Sequence, residues 1–220
     1  MPKVAIITRC LNRLEYTIQT VNCVQKTDHP SFQHIIIDNN SSDGTNQWFK
    51  WMNANTNGLQ NLSYYRFNDN RGDWGGMLAA QSLLPPDCKY VVQLDNDIIV
   101  PPNWLTPMQT ILERTDYKVV MLRRENVLWK LKSLSTPMWV FGHEIARVER
   151  AVACFMMSRE FFDKCCTGIP PAKGMRSKYI IASLSGHKIA KILDVPCSEI
   201  DSLTQRKLYN PKNKQVWEKI

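Results

Sequence analysis

The chain has 220 residues, 44% hydrophobic and 22% charged, which fits one soluble α/β domain with a sizeable core. Its net charge of +8 favours acidic partners such as nucleotides or nucleic acid, without choosing among them. No apolar run approaches the roughly 18 residues of a transmembrane helix, and the seven cysteines include no CxxC pair of zinc-site spacing.

The first half of the chain alternates strand-like apolar runs with helix-like stretches. The N-terminal residues enter a strand almost at once, so we expect no signal peptide, and free thiols in a reducing, cytoplasmic compartment. The alternation predicts a mostly parallel sheet with helices on both faces, in a single domain. Predicted strands are 4–7, 34–38, 62–67, 90–95 and 117–122, and predicted helices are 14–26, 44–55, 75–84 and 103–114.

The second half has a less regular pattern. One long strand is predicted at 147–158, followed by a short helix at 159–166. Two prolines and two glycines predict a loop at 167–178. A further helix is predicted at 179–186, a last strand at 188–195 and a basic tail at 201–220.

Polar clusters fall where three of the predicted strands end. They are Thr8-Arg9, the stretch DNNSSDGT (38–45) and Asp95-Asn96-Asp97. Each cluster alone also fits an ordinary polar turn or helix cap. Parallel sheets bind ligands at the carboxyl ends of their strands, so together the clusters predict one ligand site at that edge.

Four motifs in order resemble those of a GT-A-fold, nucleotide-sugar-dependent glycosyltransferase of the family-2 type. They are AIITRCLNRLEYT (5–17), DNNSSDGT (38–45), NRGDWGGMLAA (70–80) and LDNDIIVPPNWL (94–105). The resemblance covers roughly the first half of the chain. It implies a GT-A domain over 1–200, with a nucleotide-sugar-binding half at 1–122 and an acceptor-binding half at 123–200, before the tail.

The resemblance also implies roles for residues of these motifs. Asp97 would bind Mn²⁺ or Mg²⁺, and Asp95 would contact the ribose or the metal through water; these two are the expected catalytic residues. UDP is the commonest donor nucleotide of that family. Asp38 would accept a hydrogen bond from the base or the ribose, and Thr8 would line the base pocket. The other expected nucleotide-sugar contacts are Arg9, Asn12, Asn40, Asn70, Arg71, Gly72, Gly75 and Asn96.

The second half departs from the family pattern at the catalytic base. Inverting members carry an acidic pair before a late helix, but residues 174–192 contain no Asp or Glu. Inverting and retaining outcomes therefore both stay open. The nearest carboxylates are Glu144, Glu149, Asp163, Asp194, Glu199 and Asp201. A third metal ligand, often a histidine in the family, has as candidates His143, His187, Cys197 and Glu199.

Two basic stretches, 122–133 and 172–178, bear on the acceptor. They fit solvated surfaces, or a surface that contacts nucleic-acid phosphates. The second interpretation suggests a hydroxymethylated base in viral DNA, exposed or flipped into the site; a glycan or a protein is an equally conventional acceptor. A nucleotide-binding domain without turnover stays open. A nucleotidyltransferase is disfavoured, because residues 8–16 lack its usual glycine-rich loop.

Overall fold

The computed structural model of the chain describes residues 3–55, 61–125, 132–167 and 186–200. These ranges contain ten strands and five helices. The strands are β1 (Val4–Cys10), β2 (Phe32–Asp38), β3 (Leu62–Arg66), β4 (Tyr90–Asp95), β5 (Ile98–Ile99), β6 (Val119–Glu125), β7 (Met138–Val140), β8 (His143–Val148), β9 (Cys154–Ser158) and β10 (Ile189–Glu199). The helices are α1 (Leu14–Gln25), α2 (Thr45–Asn55), α3 (Gly72–Leu83), α4 (Leu105–Arg114) and α5 (Arg159–Cys166).

All the strands form one sheet, in the order β3-β2-β1-β4-β9-β6-β10-β8-β7, with β5 paired to β10. Strands β1 to β4 pair in parallel, as do β6 and β10. Antiparallel pairing appears in the second half, where β9 lies between β4 and β6. The predicted α/β domain is confirmed.

Helices cover both faces of the sheet, as predicted. Met77 of α3 and Phe162 of α5 belong to the core cluster on one face. Val24 of α1 and Met108 of α4 belong to the cluster on the other face. Strand β1 is buried along its whole length between these layers, which explains its nearly unbroken apolar sequence.

Several elements of the first half begin or end a few residues away from their predicted bounds, and two of these differences move motif residues. Strand β1 continues beyond residue 7 to Cys10, because parallel neighbours on both sides extend the hydrogen-bonded ladder. Thr8 and Arg9 therefore lie inside the strand and not in a loop after it. Helix α3 begins at Gly72 instead of Gly75.

The predicted long strand at 147–158 is wrong, because two separate strands occupy this stretch. Strand β8 ends at Val148 and pairs with β10, whereas β9 begins at Cys154 and pairs with β4 and β6. The chain has to cross the sheet between them, and Ala153 adopts the left-handed backbone conformation (φ 61°) at that point. The last strand runs further than predicted, to Glu199.

Three predicted segments lie almost wholly outside the described residues: the loop at 167–178 apart from Thr167, the helix at 179–186 apart from Gly186, and the tail at 201–220. All seven cysteines are described, none of them forms a disulfide bond, and all but Cys23 are buried. In the described ranges no helix has the length and apolar character needed to span a membrane.

Candidate nucleotide-sugar site

The register of the parallel strands brings the polar clusters to one edge of the sheet. Cys10 of β1 lies opposite Asp38 of β2, and Arg9 lies opposite Asp95 of β4. On the outer side, Asp38 lies opposite Arg66 of β3. The structure thus brings together the strand ends that carry the predicted site residues.

The loop after β2 is organised around the buried carboxylate of Asp38, whose exposed fraction is 0%. Its Oδ1 accepts hydrogen bonds from the Ser41 amide (2.8 Å) and hydroxyl (2.6 Å). Its Oδ2 accepts from Tyr64 Oη and Arg66 Nη1, both at 2.6 Å. Burial and the bond to this carboxylate raise the pKa of Tyr64. Four donors therefore hold Asp38, and any nucleotide contact with it would compete with them.

Arg66 fastens the same loop at two further points, although the sequence did not single it out. Its Nη1 donates to the Ser41 carbonyl oxygen (2.8 Å), and its Nη2 donates to Asn40 Oδ1 (2.6 Å). Asn40 adopts a left-handed backbone conformation (φ 69°), which asparagine tolerates better than most residues. The Arg66 guanidinium thus fixes the shape of this loop, whereas the sequence of the loop indicated only that it is polar.

The turn after β4 carries the other pair of predicted carboxylates. Asp95 Oδ1 accepts from Arg9 Nη2 (3.3 Å) and Gln93 Nε2 (3.2 Å). Asp97 Oδ2 accepts from Arg13 Nη1 (3.2 Å). The Asp95 side chain is 40% exposed and that of Asp97 is 13% exposed, so both are more accessible than Asp38.

Asn96, between the two aspartates, ties this turn to α1. Its Nδ2 donates to Thr17 Oγ1 at 2.9 Å. On the other side, the Ile200 amide donates to the Asp97 carbonyl oxygen at 2.8 Å, which places the end of β10 beside the turn. The turn is therefore held from both sides through groups other than its carboxylates.

The donor set at this turn fits a divalent metal ion that binds mainly through a phosphorylated ligand. Asp95 and Asp97 supply hard oxygen donors, which suit Mg²⁺ or Mn²⁺. Nowhere in the described ranges do three or more His, Cys, Asp or Glu side chains form a group that could hold a metal. A site with one or two carboxylates is typical of Mg²⁺ that completes its coordination with water and substrate phosphates.

Of the four candidate third metal ligands, Cys197 is buried and the other three have contacts elsewhere. Glu199 lies near the turn, but its Oε2 accepts from Arg124 Nη1 at 3.0 Å. His143 Nδ1 lies 3.0 Å from Asp194 Oδ2. The His187 ring packs edge-on against Phe161.

Thr8 lies beneath the surface of the site, with 0% exposure. Its hydroxyl lies 2.9 Å from Nε2 of His34, which is also fully buried. Burial lowers the pKa of His34 to about 3, so its ring is neutral near pH 7. Thr8 thus lies buried beneath the loops and is not part of their exposed surface.

The stretch before α3 brings further predicted residues to the surface. Asn70 Oδ1 accepts from the Gly72 amide at 2.8 Å, and Arg71 Nε lies 3.1 Å from Asp69 Oδ1. Gly72 has φ 69°, a conformation that favours glycine. At Gly75 a Cβ atom would lie 2.6 Å from Arg71 Cβ, so that glycine is required by the chain's own packing.

Asn12 connects the loops that follow β1 and β2. Its Oδ1 accepts from the Ser42 amide at 2.8 Å, and its own amide donates to Ser41 Oγ at 2.8 Å. Asn12 therefore joins these two loops to each other.

Three of the six carboxylates considered as the catalytic base, Asp163, Asp194 and Glu199, already accept hydrogen bonds. Asp163 accepts from Gln81 Nε2 (2.9 Å) and Arg159 Nε (2.7 Å). Asp194 accepts from the Glu144 amide (3.1 Å). Glu149 is exposed, and Asp201 lies outside the described residues.

The basic stretch 122–133 is described only in part. Arg123 donates to the Leu193 carbonyl oxygen and pairs with Glu125, and Arg124 pairs with Glu199. Residues 126–131 and 172–178 lie outside the described ranges.

The sequence pattern that defines Glycosyl transferase family 2 matches residues 5–183. No protein with a curated description has a significantly similar sequence. Among solved structures, S. aureus TarS 1-349 in complex with UDP superposes with a TM-score of 0.69 at 16% identity, covering 91% of this chain and 61% of that one. The same protein in complex with UDP-GlcNAc superposes with a TM-score of 0.65 at 16% identity, covering 91% of this chain and 59% of that one.

A third similar structure is the mannosyltransferase PcManGT from Pyrobaculum calidifontis in complex with GDP-Man and Mn²⁺. It superposes with a TM-score of 0.66 at 16% identity, covering 97% of this chain and 61% of that one. At this identity the likeness establishes the fold, which confirms the predicted GT-A architecture. The chain spans about three fifths of the length of these structures.

Proposed function

The chain belongs to Glycosyl transferase family 2, and from this premise we propose that it transfers a sugar from a nucleotide sugar to an acceptor hydroxyl with a divalent metal ion. The observation that carries the proposal is the accessible pair Asp95 and Asp97. Asp95 is the last residue of β4 and Asp97 follows it, at the sheet edge where β1 and β2 also end. This edge is where α/β sheets bind nucleotides.

Asp97 is the proposed metal ligand, and Asp95 contacts the ribose or the metal through water. Mn²⁺ or Mg²⁺ would neutralise the diphosphate and stabilise the charge that develops on the leaving nucleotide. Asp97 has an oxygen beyond the one that accepts from Arg13, and its side chain reaches solvent. Asn96 ties the turn to α1 through Thr17, so the turn is also held by a group other than its carboxylates.

UDP is the proposed nucleotide. It would bind on the surface formed by the loops after β1 and β2 and the start of α3. Asn40, Asn70 and Arg71 are exposed there and are suited to direct contacts. Thr8 and Asp38 are fully buried and act from below. Arg9, Asn12, Gly72 and Gly75 complete the proposed set. This assigns residues 1–122 to the donor and 123–200 to the acceptor.

In the proposed reaction, the bond between the sugar C1 and the diphosphate oxygen breaks, and a bond from C1 to the acceptor oxygen forms. The nucleoside diphosphate leaves with the electron pair of the broken bond. The acceptor proton passes to a base, which is a carboxylate in an inverting reaction or the leaving phosphate in a retaining one. No Asp or Glu stands between Asp163 and Asp194 in the sequence, and this favours a base from outside the usual position.

The proposed acceptor is a hydroxymethylated base in DNA, in the cytoplasm of a host cell if the chain is of viral origin. The support is the net charge of +8 and the concentration of Lys and Arg in two stretches of the sequence. The tail at 201–220 and the stretch at 172–178 are rich in Lys and Arg, which bind phosphates. A glycan or a protein is the alternative acceptor of the same reaction.

Release of free nucleotide from a panel of UDP- and GDP-sugars with Mn²⁺ tests the transferase proposal. We expect release from at least one UDP-sugar, and release slower by roughly 100-fold or more after Asp97→Asn. The matched control is Asp28→Asn, an exposed carboxylate on the loop between α1 and β2, which should keep wild-type release. UDP binding without release from any donor would instead support the nucleotide-binding domain without turnover, which the missing base favours.

Retention on a DNA column tests the acceptor. Phosphate contacts release counterions, so retention should fall steeply as the salt concentration rises. No retention at low salt, or retention that salt does not change, would exclude DNA and leave the glycan or protein acceptor.

A further inference from the structure

Arg13 stands in a backbone conformation that few residues adopt. It has φ 61° and ψ 46°, and Asn12 before it has φ 58°. Each such residue costs about 1–2 kcal/mol relative to the right-handed region. Two in succession persist only where surrounding contacts hold them, and such strain is concentrated at functional sites.

Three hydrogen bonds from the loop after β2 hold this segment in place. Asn12 exchanges two of them with Ser41 and Ser42, both at 2.8 Å. The Leu14 amide donates to Asp43 Oδ2 at 2.7 Å. The strained segment is therefore built onto the loop that Asp38 and Arg66 fix.

The result of this construction is an ion pair at the turn after β4. Arg13 Nη1 lies 3.2 Å from Asp97 Oδ2, and the two side chains are 25% and 13% exposed. The neighbouring Asp95 pairs with Arg9 in the same way. Both carboxylates thus have a positive partner supplied by the chain itself.

We propose that Arg13 competes with the divalent cation for Asp97, so that the metal binds tightly only together with the nucleotide diphosphate. This inference rests on the proposed function, because it takes Asp97 as the metal ligand. Arg13 is a positioning residue here, acting through Asp97.

Charge and ligand number explain the competition. Without a nucleotide, a cation at Asp97 would meet the Arg13 guanidinium, and the described part of the chain offers it no group of three or more His, Cys, Asp or Glu side chains. A diphosphate supplies further oxygen ligands to the cation. It also offers the guanidinium a new acceptor that suits its planar, forked geometry. The diphosphate therefore removes the competitor and completes the metal site in one event.

Mn²⁺ binding followed by electron paramagnetic resonance tests this directly, because it needs no turnover. We compare wild type, Arg13→Gln and Lys26→Gln, each with and without UDP. Lys26 is exposed and lies at the other end of α1, so its removal changes the net charge equally without touching Asp97. Without UDP, Arg13→Gln should bind Mn²⁺ on the order of fivefold more tightly than wild type, the value of a partly exposed ion pair.

UDP should tighten Mn²⁺ binding less in Arg13→Gln than in wild type and Lys26→Gln. Damage to the fold would lower Mn²⁺ affinity, so an increase is specific to the competition. Arg13→Lys keeps the charge but loses the forked geometry, and it should give an intermediate affinity; it serves if the glutamine variant does not fold.

Wild-type or weaker Mn²⁺ affinity in the folded Arg13 variants would overturn the inference. So would the absence of Mn²⁺ binding in every protein with and without UDP. In that case UDP binding that persists without metal would preserve the proposed nucleotide-sugar site, whereas loss of UDP binding as well would contradict the proposed function itself.

Discussion

The loop after β2 and the turn after β4 lie at the same sheet edge, on either side of β1, and both contain aspartates of the motifs. Asp38 in the loop is fully buried and accepts four hydrogen bonds at 2.6–2.8 Å. Asp97 in the turn is partly exposed and accepts from one guanidinium at 3.2 Å. The motif residue in the loop is therefore engaged by the protein, whereas the one in the turn remains accessible to a ligand.

A carboxylate in a sequence motif can therefore serve either to stabilise the fold or to bind the ligand. A saturated buried carboxylate stabilises the shape of its loop, because losing it leaves several donors unsatisfied. A partly exposed carboxylate with one long ion pair contributes little to stability, since such pairs are worth about 0–1 kcal/mol. Substitution of Asp38 should therefore mainly lower stability, whereas substitution of Asp97 should mainly lower activity.

The largest expected effect is on activity, at the turn. Asp97→Asn should lower the transfer rate roughly 100- to 1000-fold, since the metal contributes several kcal/mol to transition-state stabilisation. The free energy of unfolding should change by less than about 1 kcal/mol. Rate assays and urea denaturation measure the two quantities. Wild-type turnover in the folded variant would remove Asp97 from the site.

The second effect is on stability, in the loop. Asp38→Asn should lower the free energy of unfolding by about 3 kcal/mol, the lower end for breaking a buried ion pair, because Arg66 retains some solvent contact. Urea denaturation checks this. A change below about 1 kcal/mol with a large loss of UDP affinity would reverse the contrast and make Asp38 a direct nucleotide contact.

The third effect is the pH dependence of stability that arises from His34, which is buried beside Thr8. The pKa of His34 is lowered by burial to about 3, so the unfolded chain binds a proton at higher pH than the folded one. Stability from neutral His34 is therefore present above about pH 6.5 and is lost as the pH falls, by about 2 kcal/mol between pH 7 and pH 5.

The slope of unfolding free energy against pH measures this contribution. His34→Gln should flatten the slope in that window, whereas His29→Gln, on the loop before β2, should leave the His34 contribution in place. An unchanged slope in the folded His34 variant would show that the ring is not the acid-sensitive group.

The smallest effect separates two adjacent tyrosines of β3. Tyr64→Phe removes a hydrogen bond to a buried carboxylate and should cost about 1.5 kcal/mol. Tyr65→Phe removes the hydroxyl of a residue that is 40% exposed and should change stability by less than about 0.5 kcal/mol. Thermal or urea denaturation of the pair compares them, and equal losses would mean that Tyr64 does not support Asp38.

Sequence patterns predicted the strands that carry the motifs, because these strands are buried on both faces and read as continuous apolar runs. They also predicted that the motif loops meet, since parallel strands end at one edge. The stretch 147–158 was misread because its apolar run continues through a change of sheet position at Ala153, which only pairing with different neighbours reveals.

Arg13 and Arg66 could not be assigned from the sequence for a related reason. Each is an ordinary charged residue by local pattern. Arg66 reaches Asp38 because β3 and β2 pair in a particular register. Arg13 reaches Asp97 because two left-handed residues redirect the chain. Both contacts depend on three-dimensional placement that composition and periodicity do not carry.

The most direct test of the central claim is the position of Mn²⁺ in crystals grown with UDP, located by anomalous diffraction. We predict a peak at coordination distance, about 2 Å, from a carboxylate oxygen of Asp97, with Arg13 turned from that carboxylate towards the diphosphate. A peak at Asp38, or a diphosphate bound with Mn²⁺ away from Asp97, would contradict the account.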